Sequence, residues 1–353
     1  MSHRALATLS AIVALSALAA VPVAGQSSPP ARGATPALRT PDGKPNLEGT
    51  WDFRTLTPLE RPANLGEQTF LTAKEAATIQ DQNAALRARL AAPSEVRNEP
   101  RAPGGGGRAV GGYNDFWLDF GSTVVGDRRT SLVVNPPDGR LPALKPGALN
   151  QVGSLWEDLA LERPIRVLSA GTRASGPEDR GLAERCLVGF NSGPPMVPSG
   201  YNNHMQLFQN ADHVVIFNEM VHAARVVPLD GRRHLPSSIR QWMGDSRGHW
   251  EGDTLIVKTT NFTDKTASFS PNVLVAMGTG TTLNLTERFK RADANTLLYE
   301  FTVEDPSTFS KPFTVLVPMR RSDEHVYEYA CHEGNYGLLS ILRGARAEEQ
   351  VAK

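Results

Sequence analysis

From residue 204 onward, apolar and polar positions alternate in short runs. The runs 204–209, 213–219, 222–228, 248–251, 254–260, 282–291, 296–304, 313–321 and 326–332 show this two-residue period and are predicted as strands. Compact turn signals separate them, including Ala211-Asp212, Asp230-Gly231, Gly252-Asp253, residues 292–295 and Ser322-Asp323. Strands joined by short turns specify an antiparallel meander, closed as a lipocalin-like barrel or packed as a sandwich. The strand–helix alternation of a parallel doubly wound sheet does not occur. The expected fold is mainly β, with one peripheral helix near the N-terminus and long Pro/Gly loops.

The helix is predicted over about 73–91. It opens with Thr72-Ala-Lys-Glu75, a capping box, and carries a thin, mostly alanine stripe that suits a surface position. Residues 92–112, with glycine at 104–107, read as a mobile loop. They lack the Lys-Ser/Thr that a phosphate-cradling loop requires. Residues 116–120 and 130–134 are strand-like, and Gly49-Thr-Trp51 resembles the opening of a lipocalin-type barrel, where a Trp plugs one end.

The chain starts with Arg4, an apolar stretch from Ala5 to Ala24 and a close of small residues. This reads as a secretory signal peptide over 1–25; the alternative is a membrane anchor, since the run is nearly long enough to span, but it is rich in Ala and Ser and ends in Val-Pro-Val-Ala-Gly. A Pro/Gly/Ser-rich leader (26–46) follows, then a single β-rich domain over 47–346 and a tail, 347–353, expected to fray. Lys+Arg and Asp+Glu balance at 37 each, so there is no basic footprint for nucleic acid or acidic lipid. The protein is expected to be periplasmic or extracellular, with no membrane span once the signal is removed. In an oxidising compartment its two cysteines, Cys186 and Cys331, most simply form one disulfide. Neither carries a local motif that activates a thiol, although His332 adjoins Cys331.

Four longer motifs look familiar: Thr40-Pro-Asp-Gly-Lys-Pro-Asn-Leu47, Gly244-Asp-Ser-Arg-Gly-His-Trp-Glu-Gly-Asp-Thr-Leu255, Thr260-Asn-Phe262 and Tyr327-Glu-Tyr-Ala-Cys-His-Glu-Gly-Asn-Tyr336. Together they resemble a large group of secreted bacterial proteins to which no activity is assigned. The resemblance spans nearly the whole mature chain and implies a secreted single-domain protein. It carries no catalytic residues.

Candidate chemistry concentrates in 201–262, which holds five of the eight histidines. With Ala211-Asp212 as a two-residue turn, antiparallel pairing sets His204 opposite Glu219, on one face with Phe208 and Phe217. A carboxylate across from an imidazole can orient the ring and fix its tautomer. If that face lines a hollow, the pair is an acid/base site among aromatic walls; if it faces out, the pair is a solvated contact. Arg247 and His249 could grip an anionic or carbonyl oxygen beside Trp250, or Arg247 could simply pair with Asp245. His332 could serve as a base, with Tyr329 on the other face of the same predicted strand. Tyr113, Phe116 and Trp117 could line a pocket or pack as ordinary strand residues.

No His-Glu-x-x-His, Cys-x-x-Cys, calcium loop or Gly-x-Ser-x-Gly occurs, so no metal ligand set is assigned. Nothing in the sequence points to NAD, flavin, PLP or haem, and the expected partner is a small molecule alone. Two functions follow as expectations. One is a cofactor-independent acid/base enzyme (lyase, isomerase or hydrolase) acting on a small apolar or aromatic substrate inside the β core. The other is a non-catalytic lipocalin-like binder.

Overall fold

The computed structural model describes residues 38–91, 118–152 and 174–351. The expected signal peptide, the Gly-rich loop, and Tyr113, Phe116 and Trp117 lie outside the described residues. Thirteen strands and two α-helices are described: β1 (Gly49–Asp52), α1 (Ala73–Ala91), β2 (Val133–Asn135), β3 (Asn150–Val152), β4 (His204–Gln209), β5 (His213–Asn218), β6 (Ala224–Pro228), β7 (Asp245–Glu251), β8 (Thr254–Thr260), β9 (Phe269–Asn272), β10 (Val275–Met277), β11 (Asn284–Arg291), β12 (Thr296–Glu304), β13 (Phe313–Ser322) and α2 (Tyr336–Val351). The main sheet is antiparallel and runs β6-β5-β4-β1-β13-β12-β11-β8-β7, with β2 also on β13. The strands β3, β10 and β9 form a small second sheet.

Alternation decides which face is filled. Trp51, Met205, Leu207, Val214, Ile216, Phe289, Tyr299, Phe301, Phe313 and Val315 project to one side and are at most 1% exposed. The interleaved residues, such as Gln206, Phe208, Leu298 and Leu316, stay partly or wholly exposed on the other side. Each fully buried large apolar side chain contributes roughly 1.5–3 kcal/mol, so the inner face is the stabilising core. The Trp51 indole N–H donates to the Leu47 carbonyl at 2.9 Å, which satisfies its polar end inside that core.

The sheet does not close as a barrel. No backbone ladder joins β6 to β7 among the described residues, so the lipocalin-like closure expected from the sequence is not found. Side chains span the gap instead. Gly248 of β7 has no Cβ, and one built there would lie 2.6 Å from Leu229 and 2.9 Å from Val227, so its absence lets that edge close up against the other.

Three further expectations need correcting. Residues 326–332 do not form a strand: β13 already has β12 on one side and β1 and β2 on the other, so the segment has no ladder to join. It is held by the Cys186–Cys331 disulfide, with Cα atoms 5.8 Å apart. The C-terminal residues expected to fray continue as α2 to Val351, an exposed helix with no buried residues. Residues 118–120 are irregular. The α1 cap forms as the sequence specifies, with Glu75 N–H on Thr72 Oγ1 at 3.2 Å and Thr72 N–H on Glu75 Oε2 at 2.7 Å. Among the described residues no helix is long and apolar enough to cross a membrane, and a disulfide is compatible with an oxidising compartment.

Candidate functional site on the outer wall

The β4–β5 register places Met205 opposite Asn218 and brings the next residues out, His204 and Glu219, together. The Glu219 N–H donates to the His204 carbonyl at 3.0 Å, and His204 Nδ1 lies 3.2 Å from Glu219 Oε2. A carboxylate can only accept, so the ring donates its Nδ1 proton to Glu219. The pair does not line a hollow: Met205 and Leu207 hold the inner face, and His204 is on the outer one. Neither is it solvated. His204 and Glu219 are each 7% exposed, because segments from elsewhere in the chain cover them.

A row of charges crosses the strands at this level. Asp52 of β1 is the register partner of His204 on one side and of Arg320 of β13 on the other. Asp52 is buried and accepts from Arg54 Nε at 2.9 Å, with Arg320 Nη2 at 3.6 Å. Arg54 is the hub. It also bonds Asp119, and reaches Glu324 at 3.5 Å. Burial works against its charge, but these carboxylates more than offset that and raise its pKa. Burial likewise opposes ionisation of Asp119, but the Gly121 N–H and the guanidiniums of Arg54 and Arg87 hold its carboxyl below the usual range.

Glu324 completes the row. It begins the irregular segment after β13, is 62% exposed at its side chain, and sets Oε2 3.3 Å from His204 Nε2. That contact is an ion pair only when the ring is protonated; it is not aligned as a hydrogen bond, and Nε2 is buried with no hydrogen-bond partner among the described residues. The ring thus has one nitrogen fixed by Glu219 and one nitrogen uncommitted beneath Glu324.

A cleft of about 470 Å³ opens beside the row on the outer face of β12 and β13, under residues 123–129. Arg54, Arg129, Arg320 and Asp127 supply its charged lining, with Leu298 and Leu316 among its apolar wall. It meets the His204 group at Arg54 and Arg320.

The other sequence candidates stay apart from His204. Arg247 pairs with Asp245 at 2.7 Å, and Asp245 also takes His234 Nδ1 at 2.8 Å and the Leu235 N–H. His249 faces Glu251 at 2.9 Å in an exposed contact. Trp250 packs on the core edge below Lys44. His332 is exposed, with its ring centroid 6.3 Å from that of His222, and Tyr329 packs near the disulfide. Phe208 is 47% exposed and Phe217 half-buried on the outer face, so neither walls an internal site. Among the described residues no group of three or more His, Cys, Asp or Glu could hold a metal ion.

The inner face has its own polar group, which the strand reading passed over. Arg225 of β6 meets Glu287 of β11, and Glu287 also accepts from the Tyr299 hydroxyl at 2.8 Å; that hydroxyl in turn accepts the Met196 N–H at 3.0 Å. Burial, then the Glu287 charge, push Tyr299 well above the ordinary tyrosine range. The signal was present in the sequence: Arg225 shares strand phase with Val227, and Glu287 with Leu285 and Phe289. A charge at a core phase marks a buried pair. The roles of Asp52 and Glu324 depend on tertiary neighbours and left no such trace.

Scans against protein-family models, curated proteins and solved structures each found no match.

Proposed function

We propose that the protein is a secreted acid/base enzyme of the lyase, isomerase or hydrolase kind, working without a cofactor at His204 on the outer wall of the sheet. The observation that carries this reading is the asymmetry of the imidazole: Nδ1 is committed to Glu219, and Nε2 is buried without a hydrogen bond next to an exposed carboxylate. With the tautomer fixed in this way, Nε2 presents a lone pair. It takes a proton from the substrate, and Glu324 passes it to solvent; the reverse path returns it. The substrate lies in the neighbouring cleft, not in a lumen, because the inside of the sheet is filled. Reaching Nε2 requires Glu324 to swing aside, and its place in an irregular segment allows that.

The test is a screen of purified mature protein against small aromatic and lipid-like metabolites, reading thermal shift and product mass together. With a substrate in hand, His204→Gln is expected to lower kcat by about 10²-fold or more, and Glu219→Gln to shift the pH–rate profile, with melting temperature close to wild type. Full turnover in His204→Gln would remove His204 from the chemistry. A second reading, a non-catalytic small-molecule carrier of the lipocalin kind, draws on the cleft alone. It predicts occupancy with no product, unchanged by His204→Gln.

A further inference from the structure

The cleft beside the charge row has two chemical halves. Its floor is apolar, formed by side chains on the outer face of β12 and β13, such as Leu298, Leu316 and Pro318, with Val124 and Val125 opposite. Its rim carries three arginines against one carboxylate, Asp127. The arginines are not equally engaged. Arg54 is shared among Asp52, Asp119 and Glu324 and has little left to give. Arg129 binds Asp127 through Nε and Nη2, while its Nη1 is buried with no hydrogen-bond partner among the described residues. Arg320 is half-exposed and has one long contact, to Asp52 at 3.6 Å. The Arg129 Nη1 atom is closed to solvent, so the donor open to the cleft is the guanidinium of Arg320, whose contact with Asp52 is longer than a hydrogen bond.

We infer that this cleft binds an amphiphilic organic anion: a carboxylate held by Arg320, and an aromatic or aliphatic body laid along Leu298 and Leu316. A planar guanidinium suits a carboxylate, which accepts two parallel N–H donors. A wholly apolar ligand would make no use of the Arg320 guanidinium, and a bare inorganic anion would leave the apolar floor wet. The inference deepens the proposed function by naming the class of compound presented to His204, yet it stands on the cleft alone. Binding and turnover therefore fail separately.

The experiment is a calorimetric titration of the mature protein with 4-phenylbutyrate, and with the matched uncharged alcohol, 4-phenylbutanol. The carboxylate is expected to bind at least about tenfold more tightly than the alcohol. Arg320→Gln, at an exposed position, is expected to weaken the carboxylate about five- to tenfold and leave the alcohol unchanged. Leu316→Trp fills the floor and is expected to abolish both. Equal affinity for acid and alcohol, no measurable binding of either, or an Arg320→Gln protein that binds the acid as wild type does would each overturn the inference. His204→Gln is expected to bind 4-phenylbutyrate within about twofold of wild type. Binding of the acid by the wild-type protein with no turnover of any acid would retain the anion cleft and reject the enzyme reading.

Discussion

The guanidinium of Arg225 meets the carboxylate of Glu287 at two points, 2.7 and 2.8 Å, although β6 is at one end of the sheet path and β11 lies near the other. Both side chains are at most 4% exposed. Their contact ties the β6 margin to the interior strand β11, which no backbone ladder joins to it among the described residues. Removing one partner strands a charge in the interior, so Arg225→Met or Glu287→Gln is expected to lose about 3–5 kcal/mol of stability. The paired change Arg225→Met with Glu287→Leu should restore most of that loss. Urea denaturation of all four proteins checks it; single variants within about 1 kcal/mol of wild type would mean the pair does not hold β6 to β11.

The disulfide closes a sequence separation of 145 and fastens the segment after β13 beside the turn after β5. Loop-closure entropy puts its contribution at about 4–5 kcal/mol as an upper estimate. Cys186→Ser with Cys331→Ser should lower the melting temperature markedly and loosen residues 323–335, read as faster amide exchange there than in β12. Unchanged exchange in that segment would show that Glu324 and the packing around Tyr329 hold it unaided.

Asp305 is 2% exposed and accepts from Thr282 at 2.5 Å, Thr308 at 2.6 Å and Ser307 at 2.8 Å, as well as from Ser268. Burial works to raise its pKa, but the hydroxyl donors outweigh burial and leave it depressed. A folded-state value below the unfolded one, near 3.9, adds stability that is complete above about pH 4 and disappears as the pH falls through the folded value. Asp305→Asn should therefore lose about 2–4 kcal/mol at neutral pH, with the difference from wild type shrinking below pH 4. Melting curves from pH 7 to pH 3 measure both; a constant gap would dissociate Asp305 from the acid response.

Gly278 supports the same turn. Its φ is +64°, and a Cβ built there would fall 1.9 Å from Thr308 Oγ1, which donates to Asp305. Gly278→Ala combines left-handed strain with a steric collision and is expected to cost about 2–4 kcal/mol. Differential scanning calorimetry tests this, and an unchanged transition would show that the turn yields without penalty.

How far the sequence could be read depended on the range of each interaction. The β4–β5 pairing was legible as a two-residue turn that sets His204 opposite Glu219, although a three-residue turn would have moved every partner to the other face; the structure has the former. The direction that face points was not legible. The sequence left both directions open; Met205, Leu207, Val214 and Ile216 supply more apolar surface than Phe208 and Phe217 and take the core, turning the aromatics out. Concealment of the His204 pair by Glu324, 120 residues later, could not be read locally at all. The segment 326–332 alternates as a strand should, but alternation does not supply a partner, and β13 had none to spare. Asp245 and Arg247 were readable as a pair because they are neighbours on one strand, whereas the arrival of His234 on Asp245 was not.

The filled interior and the charged exterior of one sheet divide the work between two sets of side chains that seldom touch. On the proposed reading, substitutions at Leu298 or Arg320 reshape what the wall recognises while Trp51, Tyr299 and Phe313 go on holding the fold. A wall that binds in this way would be open to retuning for new ligands at little structural risk, since the positions that choose the guest would not be those that keep the protein standing.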